Sequence, residues 1–510
     1  MRAPPDIYPY HTARGCAALI VEEVELPGPF WQWFEQYQQH EYGFLLDSAR
    51  MLPGIAGHSF LGCAPWLVYT ARSAGQGARF GQADIELAYF DGDRPAVSSR
   101  VERRRADPFA DLSGLLAELQ LPVALRQVLP LPFVGGAVGY VSYDAARFIE
   151  RLPARAERDL DLPELVLMFV DQVLARDHAT GRTYLATTGR GEDARAALAA
   201  AQRQSERYRT GIAAGSQRPA AGSGGSVRPA AGELRGYVSE SDYAAVVECA
   251  RQQILAGDAF EICTTHRLHA EYSGGAWDLY RSLRAVNPAP FACYLQLPEL
   301  QLVSSSPERF LKLTRAREVE ARPIKGTRPR GATPELDAQL REELASSEKE
   351  RAENIMITDL LRNDLGRVCE VDSIHVPELM FVEEHPTLFQ MISTIRGRLS
   401  ESYTAADLLR ACFPPGSMTG APKIEAMKII DALEPYRRGL YSGCVGYFDL
   451  GGGMDWSVVI RSFVVHAGQC YVGVGGAVVA DSDPRGEYCE SMDKARALQH
   501  ALASVAGRAP

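Results

Sequence analysis

Strand-like stretches come in clusters rather than alternating with helices, and this restricts the fold of the 510-residue chain more than any other feature. Residues 258–272, 291–297, 300–305 and 308–315 form one cluster, and 441–448, 456–466 and 470–480 form another. Helical patterns lie between them at 334–364, 404–412 and 422–434, and one closes the chain at 486–502. The N-terminal part is similar in kind, with strands near 130–145 and 163–189. This order indicates an α+β fold with large antiparallel sheets, not a Rossmann fold or a barrel.

Residues 211–233 are almost entirely Gly, Ala, Ser, Pro and Arg, with RPAAG occurring twice. Such a stretch cannot form a core and reads as a flexible linker. It divides the chain into an N-terminal domain at 1–210 and a second domain at 234–510, with the alternative that the two halves share sheets rather than form independent domains. A helix start follows, with Ser239 as cap, Asp242 three residues on and Gly257 placed to end the helix.

Acidic residues outnumber basic ones by 64 to 54, giving a formal net charge of −10. That balance lacks the basic footprint of a nucleic-acid binder. No stretch reaches the roughly 18 apolar residues of a membrane span, and the start shows no basic-then-apolar leader. The ten cysteines are scattered without a CxxC pair, which fits reduced core residues. A soluble, cytoplasmic globular protein is expected.

Three local patterns carry chemistry. Glu350 and Glu353, and again Glu487 and Glu490, stand three apart on helical stretches, so each pair shares a face. Facing one another, four carboxylates need a divalent cation, and all-oxygen ligands favour Mg²⁺ or Ca²⁺; the alternative is two solvated faces, with Lys349 and Glu353 as an ordinary i,i+4 pair. PPGSMTGAPK, residues 414–423, sets Gly, Ser and Thr before a helix, which reads as an anion site or as a plain capped start. It fails as a P-loop, because Lys423 does not follow the glycine and Ile424 replaces Ser or Thr. In RPIKGTRPRG, residues 322–331, Lys325 has Arg322, Arg328 and Arg330 close in sequence. Positive neighbours and burial would both lower its pKa and suit it to be a nucleophile; the alternative is a solvated loop lysine.

Taken together, FPPGSMTGAPK, GLYSGCVGYFDL, AENIMITDLLRNDLG, SSPERF and GAVVADSDPRGEYCE resemble the chorismate-utilising enzymes, which include anthranilate, aminodeoxychorismate, isochorismate and salicylate synthases. The resemblance covers most of 237–500 and continues more weakly through FLLDSAR (44–50) and FVGGAVGYVSYD (133–144). It implies mixed or antiparallel sheets packed as a sandwich, with helices outside. It also implies Glu350, Glu353, Glu487 and Glu490 as Mg²⁺ ligands. Tyr441, Arg461 and Lys494 would bind the substrate's carboxylates, Arg461 through its planar fork. Ser417, Thr419 and a glycine turn at Gly475 and Gly476 would add contacts. Glu308 would be a general acid whose pKa burial raises toward neutrality.

Within that family, anthranilate synthases carry Ala after Pro-Ile in the PIxGT segment, whereas aminodeoxychorismate synthases typically carry Lys. Lys325 fills the position here. The implied reaction is attack by Lys325 on chorismate, followed by ammonia at C4, giving 4-amino-4-deoxychorismate for 4-aminobenzoate and folate. The alternatives are anthranilate synthase, another chorismate-utilising synthase, or a non-catalytic paralogue. The histidine of anthranilate synthases falls on Gln390, the alternative position on Phe389, and the nearest histidine is His385. LLDS (45–48) matches the family's tryptophan pocket, but Ala289 replaces its usual Ser, so tryptophan is expected as a structural occupant at most. With no glutaminase pattern in the chain, ammonia is expected from a separate glutamine amidotransferase.

Overall fold

The computed structural model describes residues 5–52, 54–75, 77–91, 98–215, 231–384 and 388–507. Two large sheets dominate it, one of 13 strands and one of 12. Among the described residues every strand pair of the two sheets is antiparallel.

Strands from both sides of the low-complexity segment build each sheet. In the first sheet, Gly43–Asp47 pairs with Phe291–Gln296. In the second, Gly136–Val141 pairs with Cys444–Asp449. The low-complexity segment therefore interrupts the chain but not the sheets, and 1–210 and 234–510 share hydrogen-bonded ladders. The helix Ala194–Gly215 runs into the start of that segment, and residues 216–230 lie outside the described residues.

The sheets face each other across an apolar core. Phe60 of the first sheet packs edge-on to Tyr447 of the second at 5.7 Å between ring centroids, and Phe133 packs against both. Fully buried Phe44, Tyr140 and Trp456 belong to the same cluster. On the outer face of the first sheet, the helices Ala276–Val286 and Pro484–Val505 bury Leu279, Leu283, Leu498 and Leu502. Two apolar-faced sheets with helices outside give the sandwich.

Local sequence explains several boundaries. Ser239 and Asp242 form a reciprocal capping box on the helix Glu240–Ala256, and Gly257 ends it at φ 90°, where a side chain would be strained. The helical stretch at 334–364 is two helices, Pro334–Ser346 and Glu348–Gly366. Ser347 breaks it and caps the second through its Oγ on the Glu350 N–H. The lysine-bearing segment is a strand, Ile324–Pro329, at the edge of the second sheet and next to Leu388–Arg398. Its proline sits where an edge strand tolerates one. Its register shifts between Ile324 and Thr327, beside Gly326 at φ 82°, and such a bulge re-aims a side chain.

Candidate active site

A cavity of about 740 Å³ takes its walls from both sheets and from the helices Glu348–Gly366 and Pro484–Val505. Lys325, Glu308, Glu350, Glu353, Glu490, Ser417, Tyr441, Arg461, Lys494, Gly475 and Gly476 all line it. Glu487 is buried beside it: a Cβ on Gly476 would come 2.8 Å from Glu487 Oε2. Thr419 is the exception, since its hydroxyl turns into its own loop and donates to the Gly416 carbonyl at 3.1 Å. Thr419 shapes the loop and does not reach the cavity.

The surroundings of Lys325 reverse the sequence expectation. Its Nζ donates to Glu261 Oε1 at 2.5 Å and lies 3.6 Å from Glu353 Oε2. Burial favours the neutral amine, but the Glu261 and Glu353 carboxylates outweigh it and hold the ammonium well above the ordinary lysine range. Of the nearby arginines, Arg322 pairs with Glu383 and Arg330 with Asp337, while Arg328 pairs with Glu343 and reaches Glu350 on the same cavity. The charged groups nearest the Lys325 amine are Glu261 and Glu353, so it meets carboxylates rather than cations. Glu261 was not foreseen. Its signal is a lone acid within the strand-like run AFEIC, and it is fully buried with its second oxygen unpartnered.

Glu308 is buried, and that burial pushes its carboxyl up to about 7 against smaller lowering effects from Ser417, Lys325 and the Ile324 N–H. Arg461 makes no ion pair among the described residues; one N–H goes to the Lys494 carbonyl at 2.7 Å. A largely buried guanidinium without a carboxylate is suited to an incoming anion. Lys494 donates to Glu490 Oε1 and to the Gly475 carbonyl, each at 2.8 Å. Gly475 and Gly476 belong to the strand Gln469–Val478 and not to a turn, paired with Thr265 and Thr264. Gln390 lines the cavity where the family resemblance leads one to seek a histidine. Phe389 is buried with Arg330 stacked on its ring, and His385 lies outside the described residues.

The four helix acids converge, but each has a cation of its own. Arg328 reaches Glu350 at 3.4 Å, Lys325 reaches Glu353, and Lys494 reaches Glu490. Lys349 lies 3.5 Å from Glu487 and 3.9 Å from Glu353. Among the described residues no group of three or more potential ligands is drawn together as a metal site. The donor set nevertheless fits Mg²⁺. All four acids offer carboxylate oxygens, the donors Mg²⁺ takes, and the buried oxygens Glu353 Oε1 and Glu487 Oε2 accept no hydrogen bond.

A carboxylate-rich cavity with a buried lysine, a buried acid and an unpaired guanidinium is built to receive and transform a small anion. Residues 76–500 match the family model described as chorismate binding enzyme. The chain is 41% identical over 459 residues to an aminodeoxychorismate synthase from Streptomyces pristinaespiralis, a match covering 90% of this chain but 61% of that longer protein. It is equally 41% identical over 413 residues to anthranilate synthase component 1 of Thermus thermophilus, covering 81% of this chain and 86% of that one. The fold superposes on anthranilate synthase component I from Streptococcus pneumoniae with a TM-score of 0.71 at 28% identity, over 88% of this chain and 93% of the other. The chain belongs to the chorismate binding enzymes. Overall identity does not separate the two kinds of synthase, so the choice between them rests on individual residues. No helix among the described residues is long and apolar enough to cross a membrane.

Proposed function

We propose that this chain converts chorismate and ammonia into 4-amino-4-deoxychorismate through a covalent adduct of Lys325, with ammonia delivered by a separate glutamine amidotransferase. The observation that carries the reading is the placement of the Lys325 amine and the Glu308 carboxyl on one cavity. An amine nucleophile and a proton donor divide one hard substitution of a hydroxyl into two easier steps.

Arg461, Tyr441 and Lys494 bind the two carboxylates of the substrate. Glu350, Glu353, Glu487 and Glu490 would hold Mg²⁺, which supplies positive charge for the ring carboxylate when bound. Glu261 takes one proton from the Lys325 ammonium, for which its oxygen at 2.5 Å is the nearest acceptor. The freed amine forms a bond to C2, the ring double bonds shift, and the C4–O bond breaks. The hydroxyl leaves as water with the proton of Glu308. Ammonia then bonds to C4, the double bonds shift back, and the C2–N bond to Lys325 breaks. The new C4 ammonium returns a proton to Glu308, and Glu261 returns its proton to Lys325. The sum is chorismate plus ammonia giving aminodeoxychorismate plus water, with the enolpyruvyl group retained.

The test is mass spectrometry of the product from purified protein, chorismate, Mg²⁺ and ammonium chloride at alkaline pH. The expected product is aminodeoxychorismate, and Lys325→Ala abolishes it. Anthranilate from the intact chain, or unchanged 4-amino product from Lys325→Ala, would overturn the reading.

A further inference from the structure

Arg438 carries a dense set of hydrogen bonds a short way from the cavity, and the reaction scheme leaves it without a task. It is buried and forked onto Glu434, with Nε to Oε2 at 2.9 Å and Nη2 to Oε1 at 2.6 Å. The same guanidinium reaches two main-chain carbonyls, Met418 at 2.6 Å and Cys263 at 2.7 Å. Glu434 Oε1 in turn accepts from the Thr265 N–H at 2.8 Å and its hydroxyl at 2.9 Å. One buried pair thus ties the loop Gly416–Met418 to the strand Glu261–Glu271.

The N-terminal motif at 133–144 closes this clamp from the other side. The Tyr143 ring lies 4.5 Å from the Arg438 guanidinium. Asp144 Oδ2 accepts from the Gly439 N–H at 2.9 Å, and the Tyr143 N–H donates to the Gly439 carbonyl at 2.9 Å. Met418 follows Ser417, which lines the cavity together with Glu308 and Lys325. A shift of the Met418 carbonyl therefore moves Ser417 in the cavity wall.

We propose that Arg438 is a positioning residue, clamped by Glu434 and Tyr143, that holds the Ser417 loop against the strand bearing Glu261, so that Ser417 keeps its place in the cavity wall that Glu308 also lines. A planar fork serves two carbonyls and a carboxylate at once, which an ammonium cannot do in the same plane. This deepens the proposed function and rests on its assignment of Glu308 as the acid.

The experiment is a double-mutant cycle on the full chain with Arg438→Lys and Ser417→Ala, measuring kcat, KM for chorismate and the pH profile with ammonium as nitrogen source. Each single variant should lose on the order of tenfold in kcat, part of the 10²–10⁴-fold a positioned general acid contributes, with KM little changed. Ser417 lowers the Glu308 pKa, so both variants should move the alkaline limb upward. The double variant should be no slower than Ser417→Ala, because both changes remove one interaction. Should Arg438→Lys fail to fold, Glu434→Gln replaces it in the cycle with the same expectation. Multiplying losses, or an unmoved alkaline limb in Arg438→Lys, would overturn the positioning role while leaving the acid assignment intact. A Ser417→Ala variant with wild-type kcat and pH profile would also overturn it, whereas a flat wild-type profile would remove the acid assignment itself.

Discussion

Lys325 Nζ stands 2.5 Å from Glu261 Oε1 with both side chains buried, so the candidate nucleophile is held as an ammonium by the group best placed to unload it. Desolvation penalises both charges, and a pair of this kind is kept by mutual attraction. Glu261→Gln leaves Nζ with a neutral partner that cannot take its proton. Adduct formation on Lys325, followed by quenched-flow intact mass in the absence of ammonia, should slow by about 100-fold or more. An unchanged rate, with a wild-type adduct seen, would discard Glu261 as the base.

Glu308 must be protonated to donate, and burial places its pKa at about 7. For an acid acting in its protonated form, activity is present below that value and falls as pH rises through it. The kcat/KM profile at fixed free-ammonia concentration should therefore show an alkaline limb near neutrality, since that quantity reports the free enzyme. Glu308→Gln should lose the limb and roughly 10²–10⁴-fold in rate. A flat profile through neutrality would move the acid role elsewhere.

The sequence is legible where local rules govern. Ser239, Asp242 and Gly257 fix a helix by capping chemistry, and the i,i+3 acids lie on helices as their spacing requires. The family and its α+β sheets follow from the order of motifs. Legibility fails where the answer is tertiary. Pro and Gly around Lys325 read as loop, but an edge strand accepts both. The arginines beside Lys325 in sequence point to other acids, whereas Glu261, 64 residues away, sets its charge state. The low-complexity segment leaves separate domains and shared sheets both open; pairing such as Ala292 with Asp47 crosses it, and no local signal encodes that register.

Tryptophan should not regulate this chain. The cavity bordered by Leu46–Ser48 and Pro290–Cys293 is about 100 Å³, below the roughly 150 Å³ of an engineered cavity that admits benzene. Asp47 is already engaged by Tyr280 at 2.9 Å and Arg284 at 2.6 Å. Millimolar tryptophan should leave both the rate and the Tm unchanged, and mass analysis of the denatured protein should find none bound. A Tm rise with tryptophan would show that the pocket opens.

Gly475 and Gly476 should respond differently to alanine. A Cβ at Gly475 would meet the Thr264 carbonyl at 2.2 Å, which is main chain and cannot yield cheaply. Overpacking of this sort costs about 1–3 kcal/mol, so Gly475→Ala should lower the midpoint of denaturant unfolding. At Gly476 the contact is the tip of the Glu487 side chain at 2.8 Å. Gly476→Ala should keep its stability and weaken Mg²⁺ binding in calorimetric titration. Equal stability loss in both would refute the distinction.

Lys349 bears directly on the proposed metal affinity. Its ammonium is nearly half exposed and lies near both Glu487 and Glu353, the acids whose Oε2 and Oε1, respectively, accept no hydrogen bond. Burial disfavours its charge, but Glu487, Glu353, Glu490 and Glu350 together hold it raised. In metal-free protein it therefore supplies charge that a divalent cation would otherwise bring, and entry of the cation must work against it. Lys349→Met should tighten Mn²⁺ binding, read by electron paramagnetic resonance, while lowering the Tm of metal-free protein. Glu487→Gln should act in the opposite sense and weaken binding by at least the roughly 10–100-fold lost with an outer-shell partner. Because a cation bound at 100 times its Kd stabilises the folded state by about 2.7 kcal/mol, EDTA should lower the Tm of wild type more than that of Glu487→Gln. If Lys349→Met binds Mn²⁺ no better than wild type, the lysine is only a surface partner of the helix, and the four acids are not a cation site that it screens.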